Sequence, residues 1–158
     1  MIRRVHEHSV DADATAAWAS HATAQVAEAG HRSGGARTAV IEALAGQSCC
    51  RSAQEIFDQL RGDGRRVGIA SVYRVLDLLA SLALVQRLDL GGGIARYEPA
   101  LPGGEHHHHL VCVDCGDVRP FEDPSLERAI EAAATVSDFT VNGHDVVLRG
   151  RCGECQPA

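Results

Sequence analysis

This sequence predicts an α+β fold in two parts, and three observations carry the prediction. Helix-length amphipathic segments fill the first half of the chain, then give way to a strand pair around Gly91-Gly92-Gly93. A Pro/Gly-rich stretch, "PALPGG" at residues 99–104, interrupts the chain. Beyond it lie two Cys-x-x-Cys pairs, Cys112/Cys115 and Cys152/Cys155, framing short strands and one helix. The expected division is an N-terminal winged-helix domain over 1–98, a hinge over 99–104 and a small α/β domain over 105–158.

Each element has a local reason. "DADATAAWASHATAQVAEAG" is Ala-rich, opens on Asp candidates for an N-cap and stops at Gly30, which predicts a helix. "RTAVIEALAG" carries apolar residues at 40, 41 and 44 before a Gly stop and predicts a second. In "RSAQEIFDQLRGDG", Ser52 and Glu55 form a capping box, Ile56, Phe57 and Leu60 make the buried stripe, and Gly62 and Gly64 end the helix. "VGIASVYRVLDLLASLALV" places Ile69, Val72, Leu76 and Leu79 on one helical face. The glycine-centred hairpin follows. Short helices succeeded by a hairpin are the order of a winged helix, with the hairpin as wing. In the second part, "HHHHLVCVDCGDVRPFE" reads as two strands turning at 114–117. "DPSLERAIEAAATV" reads as a helix with Asp123 as N-cap and Pro124 in its first turn, and "FTVNGHDVVLRGRC" as a hairpin around Asn142-Gly143.

Composition narrows the function. The net charge of −6 over 158 residues argues against a protein that coats nucleic acid. The charge is uneven, however. Between 32 and 74, Arg32, Arg37, Arg51, Arg61, Arg65, Arg66 and Arg74 outnumber Glu42, Glu55, Asp58 and Asp63. No apolar run has the length of a membrane span, and Met1-Ile-Arg-Arg leads into polar sequence, so a soluble cytoplasmic protein with no membrane partner is expected. In that setting, four of six cysteines in two Cys-x-x-Cys pairs favour metal over disulfides.

Cys112, Cys115, Cys152 and Cys155 can bring four thiolates to one point, the closed tetrahedral set of structural zinc. Two disulfides or a redox pair are the alternatives. The four histidines His106–His109 pose a separate problem. In an extended strand His106 and His108 face one way and His107 and His109 the other, so the run feeds two sites on opposite faces rather than one. A solvated His-rich turn is the plainer alternative. Further ligands would have to come from Glu127 on the helix, His144 near the C-terminal strands, Glu98 at the end of the wing, or Cys49 and Cys50 ahead of the capped helix. Each of these also has an ordinary structural reading.

From about Ala29 to Cys155 the chain resembles the ferric uptake regulator family of metal-dependent repressors. The motifs are "VGIASVYRVLDLL", "EHHHHLVCVDCG", "FEDPSLE" and the final "CGEC", in the family's order and spacing. The resemblance implies a DNA-binding winged helix, a hinge and a dimerisation domain, acting as a homodimer on double-stranded operator DNA. It puts structural zinc on Cys112, Cys115, Cys152 and Cys155, and a second site on His106, His108, Glu127 and His144. The hinge site, the sensor, falls on Glu98, His107 and His109. These sets split the histidines by parity, as strand alternation independently requires.

A further hinge ligand, commonly His in iron-sensing members, aligns with Cys50. A thiolate there favours zinc, whereas Glu98 is the iron-type choice, so zinc or ferrous iron is expected as the regulatory metal, ahead of manganese. The resemblance places Tyr73 and Arg74 on the recognition helix. Ser71 lies beside them, off the Val72–Leu76–Leu79 stripe, and Arg32 and Arg37 sit where basic residues meet the DNA backbone or minor groove. Two alternatives stand beside the metal-activated repressor. A peroxide sensor of the same family usually carries Asp where Glu98 stands. A zinc-dependent hydrolytic enzyme would need a His-Glu-x-x-His or deaminase-type pattern, and the sequence has neither.

Overall fold

The structure, a computed structural model, describes residues 12–32, 34–100 and 107–156. Most of the expected hinge and His106 therefore lie outside the described residues. The chain divides into two compact units, residues 1–104 and 105–158.

The first unit runs α1 (Ala12–Glu28), α2 (Gly35–Ala45), β1 (Arg51–Ser52), α3 (Ala53–Gly62), α4 (Ile69–Ser81), β2 (Val85–Asp89) and β3 (Ala95–Pro99). Its core gathers Val40, Leu44, Ile56, Val72, Leu76 and Leu79 from α2, α3 and α4. The amphipathic stripes thus meet largely where the sequence places them. Ile69 and Phe57 are only half-buried, Phe57 lying under the Arg61 guanidinium, while Val75 joins the buried face of α4. Helix α1 adds Trp18, Ala22 and Val26 to the same core. The Trp18 indole N–H also donates to the Leu84 carbonyl at 3.2 Å, which satisfies its one polar atom.

Helix α3 starts as the capping box requires. The Ser52 hydroxyl accepts from the Glu55 N–H at 3.2 Å, and the Glu55 carboxylate accepts from the Ser52 N–H at 2.7 Å. Ser52→Ala is expected to cost about 1 kcal/mol. The check is a lower midpoint for the first unit in thermal unfolding followed by Trp18 fluorescence; an unchanged midpoint would make the box ornamental.

The wing is the β2–β3 hairpin. Gly91, Gly92 and Gly93 all have positive φ (92°, 78° and 72°), which an L side chain resists, and Asp89 accepts from the Gly91 N–H at 2.9 Å. Strand β1, too short to leave a periodic signal, pairs antiparallel with β3 and sets Arg51 opposite Tyr97. The resulting order is β1-β3-β2.

The second unit contains β4 (His108–Cys112), β5 (Val118–Phe121), α5 (Pro124–Val136) and β6 (Val147–Gly150). Strands β4 and β5 pair antiparallel around the 113–117 turn, and α5 begins at Asp123, whose carboxylate accepts from the N–H groups of Ser125 and Leu126. The C-terminal hairpin expected around Asn142-Gly143 does not form. Residues 139–146 contain no strand, and β6 instead runs parallel to β4, pairing His109 with Val147. The Asn-Gly signal marks a bend, because the backbone donors and acceptors of β6 are taken by β4, the central strand in the order β5-β4-β6.

Among the described residues the apolar core cluster lies wholly in the first unit. In the second, the buried side chains are His108, His109 and Cys112. Helix α5 buries nothing, and Val136 and Phe139 are 88% and 72% exposed. A unit of this size without an apolar interior needs another source of cohesion.

Candidate functional site

The first cluster is made of sulfur. Cys112 ends β4, Cys115 sits in the following turn, and Cys152 and Cys155 follow β6. Parallel pairing of β6 with β4 sets Gly150 against Cys112, which delivers the last two cysteines to the first two. All four are free thiols, and their Sγ atoms lie within 4.8 Å of one another, with Cys115 and Cys152 3.8 Å apart. Zn–S bonds of about 2.3 Å in a tetrahedron give an edge of roughly 3.8 Å. The cluster has zinc's dimensions.

Its electrostatics point the same way. The Cys112 thiol is depressed to about 6 because backbone N–H groups of Cys115 and Cys152 donate to it, the latter at 3.3 Å. The Cys155 thiol is raised by its contacts with the Cys152 and Cys115 sulfurs. One thiolate is therefore stabilised by the backbone alone. Further thiolates repel it unless a cation joins them.

The second cluster uses the opposite end of β4. His108 is fully buried and its Nε2 lies 2.6 Å from Glu127 Oε1. His144 Nε2 lies 3.0 Å from Glu127 Oε2. The carboxylate on the first turn of α5 thus bridges both imidazoles, and the ligand atoms fall within 4.8 Å of one another. The Phe121 ring packs against His108 at 5.4 Å between centroids, closing the apolar side; no sequence signal singled it out. His106, the fourth member the resemblance implies, is outside the described residues. His107 and His109 pack ring against ring at 5.0 Å, apart from the set that holds His108. Alternation along the strand accounts for this division.

In the first unit, Cys50 and Glu98 are buried, at 3% and 8% exposure. The β1–β3 register continued by one pair sets Cys50 against Glu98. The Cys50 thiol is raised above its ordinary value by its contact with Cys49, by burial and by the Glu98 charge. Cys49 Sγ and Cys50 Sγ are 3.9 Å apart.

The basic and aromatic residues divide by exposure. Tyr73 is 49% exposed on α4, with Arg74 beside it. The Arg74 guanidinium lies back along the helix, donating to the Ala70 carbonyl at 3.2 Å and to the Ser71 hydroxyl at 3.4 Å. Arg32 is exposed, whereas Arg37 in α2 is half-buried and donates to the Arg32 carbonyl. Of the two, Arg32 has the freer side chain for an external anion.

Known proteins resemble this chain over most of its length. Residues 28–149 match the profile of the ferric uptake regulator family. The ferric uptake regulation protein of Legionella pneumophila is 40% identical over 105 residues, 66% of this chain and 76% of that one. The crystal structure of the Vibrio cholerae ferric uptake regulator superposes with a TM-score of 0.73 at 32% identity, covering 82% of this chain and 98% of that one. The Helicobacter pylori regulator, described as having three functional metal-binding sites, gives a TM-score of 0.79 at 26% identity, covering 91% and 95%.

Proposed function

Because the chain belongs to the ferric uptake regulator family, we propose that it is a repressor that binds operator DNA as a homodimer when its regulatory site holds zinc or ferrous iron. As a family member it is a metal-responsive transcription regulator and not an enzyme. The observation that carries the finer reading is on strand β4, where His108 meets Glu127 and His144 while the His109 ring packs against His107 instead.

In this reading Cys112, Cys115, Cys152 and Cys155 hold a structural zinc, which supplies the charge that lets four thiolates share one place. His108, Glu127 and His144, with His106, form the second set. By the family resemblance, Glu98, Cys50, His107 and His109 would form the regulatory set. Exposed Leu110, Val113 and Leu148, together with the open edge of β6, give the second unit a surface for a second copy of the chain.

Donors on both sides of the linker give the chain a way to fix its two DNA-binding units at one separation. Paired recognition helices must meet half-sites at set spacing, so a dimer with an unrestrained linker spreads over postures that mostly miss. Shifting such a balance from mostly wrong to mostly right takes about 5.5 kcal/mol of differential affinity.

The test uses duplexes selected from a random pool by the metal-loaded protein. Affinity is measured with buffered zinc, ferrous iron or manganese and after chelation, with the dimer followed by sedimentation. Zinc or iron is expected to raise affinity by roughly tenfold or more, and Glu98→Ala to remove the response. DNA affinity indifferent to chelation and to all three metals would end this reading.

A further inference from the structure

The regulatory set named above treats Cys50 as a single sulfur donor. The structure puts a second sulfur beside it. Cys49 precedes Cys50 directly, and in an extended backbone two neighbours would point apart. Here the chain bends at Ser48 and Cys49 before entering β1, and the two sulfurs converge to 3.9 Å. That separation is close to the 3.8 Å between Cys115 and Cys152 in the four-cysteine cluster. It also matches the roughly 3.8 Å edge of a zinc–sulfur tetrahedron. Neither cysteine is in a disulfide, and the β1–β3 register continued by one pair sets Cys50 against the Glu98 position, whose charge bears on the Cys50 thiol.

We propose that Cys49 and Cys50 act as a pair, both sulfurs donating to the same cation beside Glu98, so that the regulatory site takes zinc in preference to ferrous iron or manganese. This rests on the regulatory reading above and specifies its metal. The chemistry follows from the donor set. Two thiolates are a soft contribution suited to zinc, whereas manganese and ferrous iron favour harder donors at higher coordination. Cys50 alone would leave the choice open. Cys49 tips it.

Cobalt(II) tests this, because its thiolate charge-transfer absorption scales with the number of sulfur ligands. Full-length protein carrying one zinc per chain on the four-cysteine cluster is titrated with cobalt under reducing conditions, with the zinc content checked throughout. The His108, Glu127 and His144 set contains no sulfur and adds nothing to that band. Wild type is expected to show absorption for two sulfurs, reduced by about half in Cys49→Ser and again in Cys50→Ser. Competition should show zinc affinity lowered by at least roughly tenfold in Cys49→Ser. Cys49→Ala serves as a second variant, and Trp18 fluorescence checks that each protein is folded.

Undiminished absorption and zinc affinity in both Cys49 variants would overturn the proposal, as would the absence of thiolate absorption in wild type. DNA binding measured on the same samples separates the two readings. If the sulfur bands are missing while binding still responds to metal, the cysteine pair fails and the regulator stands. If the bands appear while binding ignores metal, the pair stands and the regulator fails.

Discussion

Cys152→Ser is expected to strip one zinc per chain and unfold residues 105–158 while leaving the winged-helix unit intact. The asymmetry follows from where the core lies. The first unit closes on Trp18, Val40, Leu44, Ile56, Leu76 and their neighbours, and none of these depends on a metal. The second buries His108, His109 and Cys112 among the described residues, with no apolar cluster beneath α5. Four sulfurs cluster at one end of its sheet, where the proposed zinc would join the turn after β4 to the segment after β6. A small domain built this way gains its folding free energy with its metal.

The single tryptophan makes the prediction easy to read. Trp18 is buried in the first unit, so its fluorescence reports that unit alone. Metal analysis should fall by one zinc per chain, and limited proteolysis should cut the 105–158 region rapidly, while the Trp18 signal keeps its wild-type unfolding midpoint. Unchanged zinc content together with a protease-resistant C-terminal unit would sink the assignment. Dimerisation should be lost with the fold, since its proposed surface lies on the same strands.

The second large effect is on DNA. Arg74→Ala should weaken binding to the selected duplex by roughly 30-fold to 10⁴-fold. A bidentate arginine–guanine contact is worth about 1–3 kcal/mol, and the proposed homodimer would present the residue twice. In the free protein its guanidinium rests on the Ala70 carbonyl and the Ser71 hydroxyl, at 3.2 and 3.4 Å. These long, exposed bonds are easily exchanged for a base edge, and removing the side chain opens no cavity. Arg32→Ala is the informative contrast. A phosphate contact there would weaken all sequences alike and flatten the salt dependence, whereas Arg74→Ala should also relax sequence preference at one position. Equal affinity and unchanged preference in Arg74→Ala would remove it from the interface.

The sequence reading and the structure part company at identifiable places. The capping box at Ser52 and Glu55, the stripe of α4 and the glycine-rich wing were legible because each is a short-range rule, satisfied within a turn of helix or a hairpin. So was the separation of His108 from His107 and His109, because the pleat of a strand fixes it. The Asn142-Gly143 hairpin was misread for the same reason in reverse. A good turn dipeptide says nothing about whether a more distant strand competes for the same backbone, and β4 does. Strand β1, two residues long, left no periodicity to read.

The sequence by itself determined the candidates: which cysteines come in pairs, which strand histidines alternate, and which helix caps and apolar stripes build the winged helix. Tertiary structure decided what those candidates do in company. It brought Glu127 between His108 and His144, carried Cys152 to Cys115 along a parallel strand, turned Cys49 toward Cys50 and left the described residues of the second unit without an apolar core. The reason is range. Caps and alternation act over a few residues, whereas a cluster drawn from positions 108, 127 and 144 exists only once strand pairing has fixed the path of the whole chain between them.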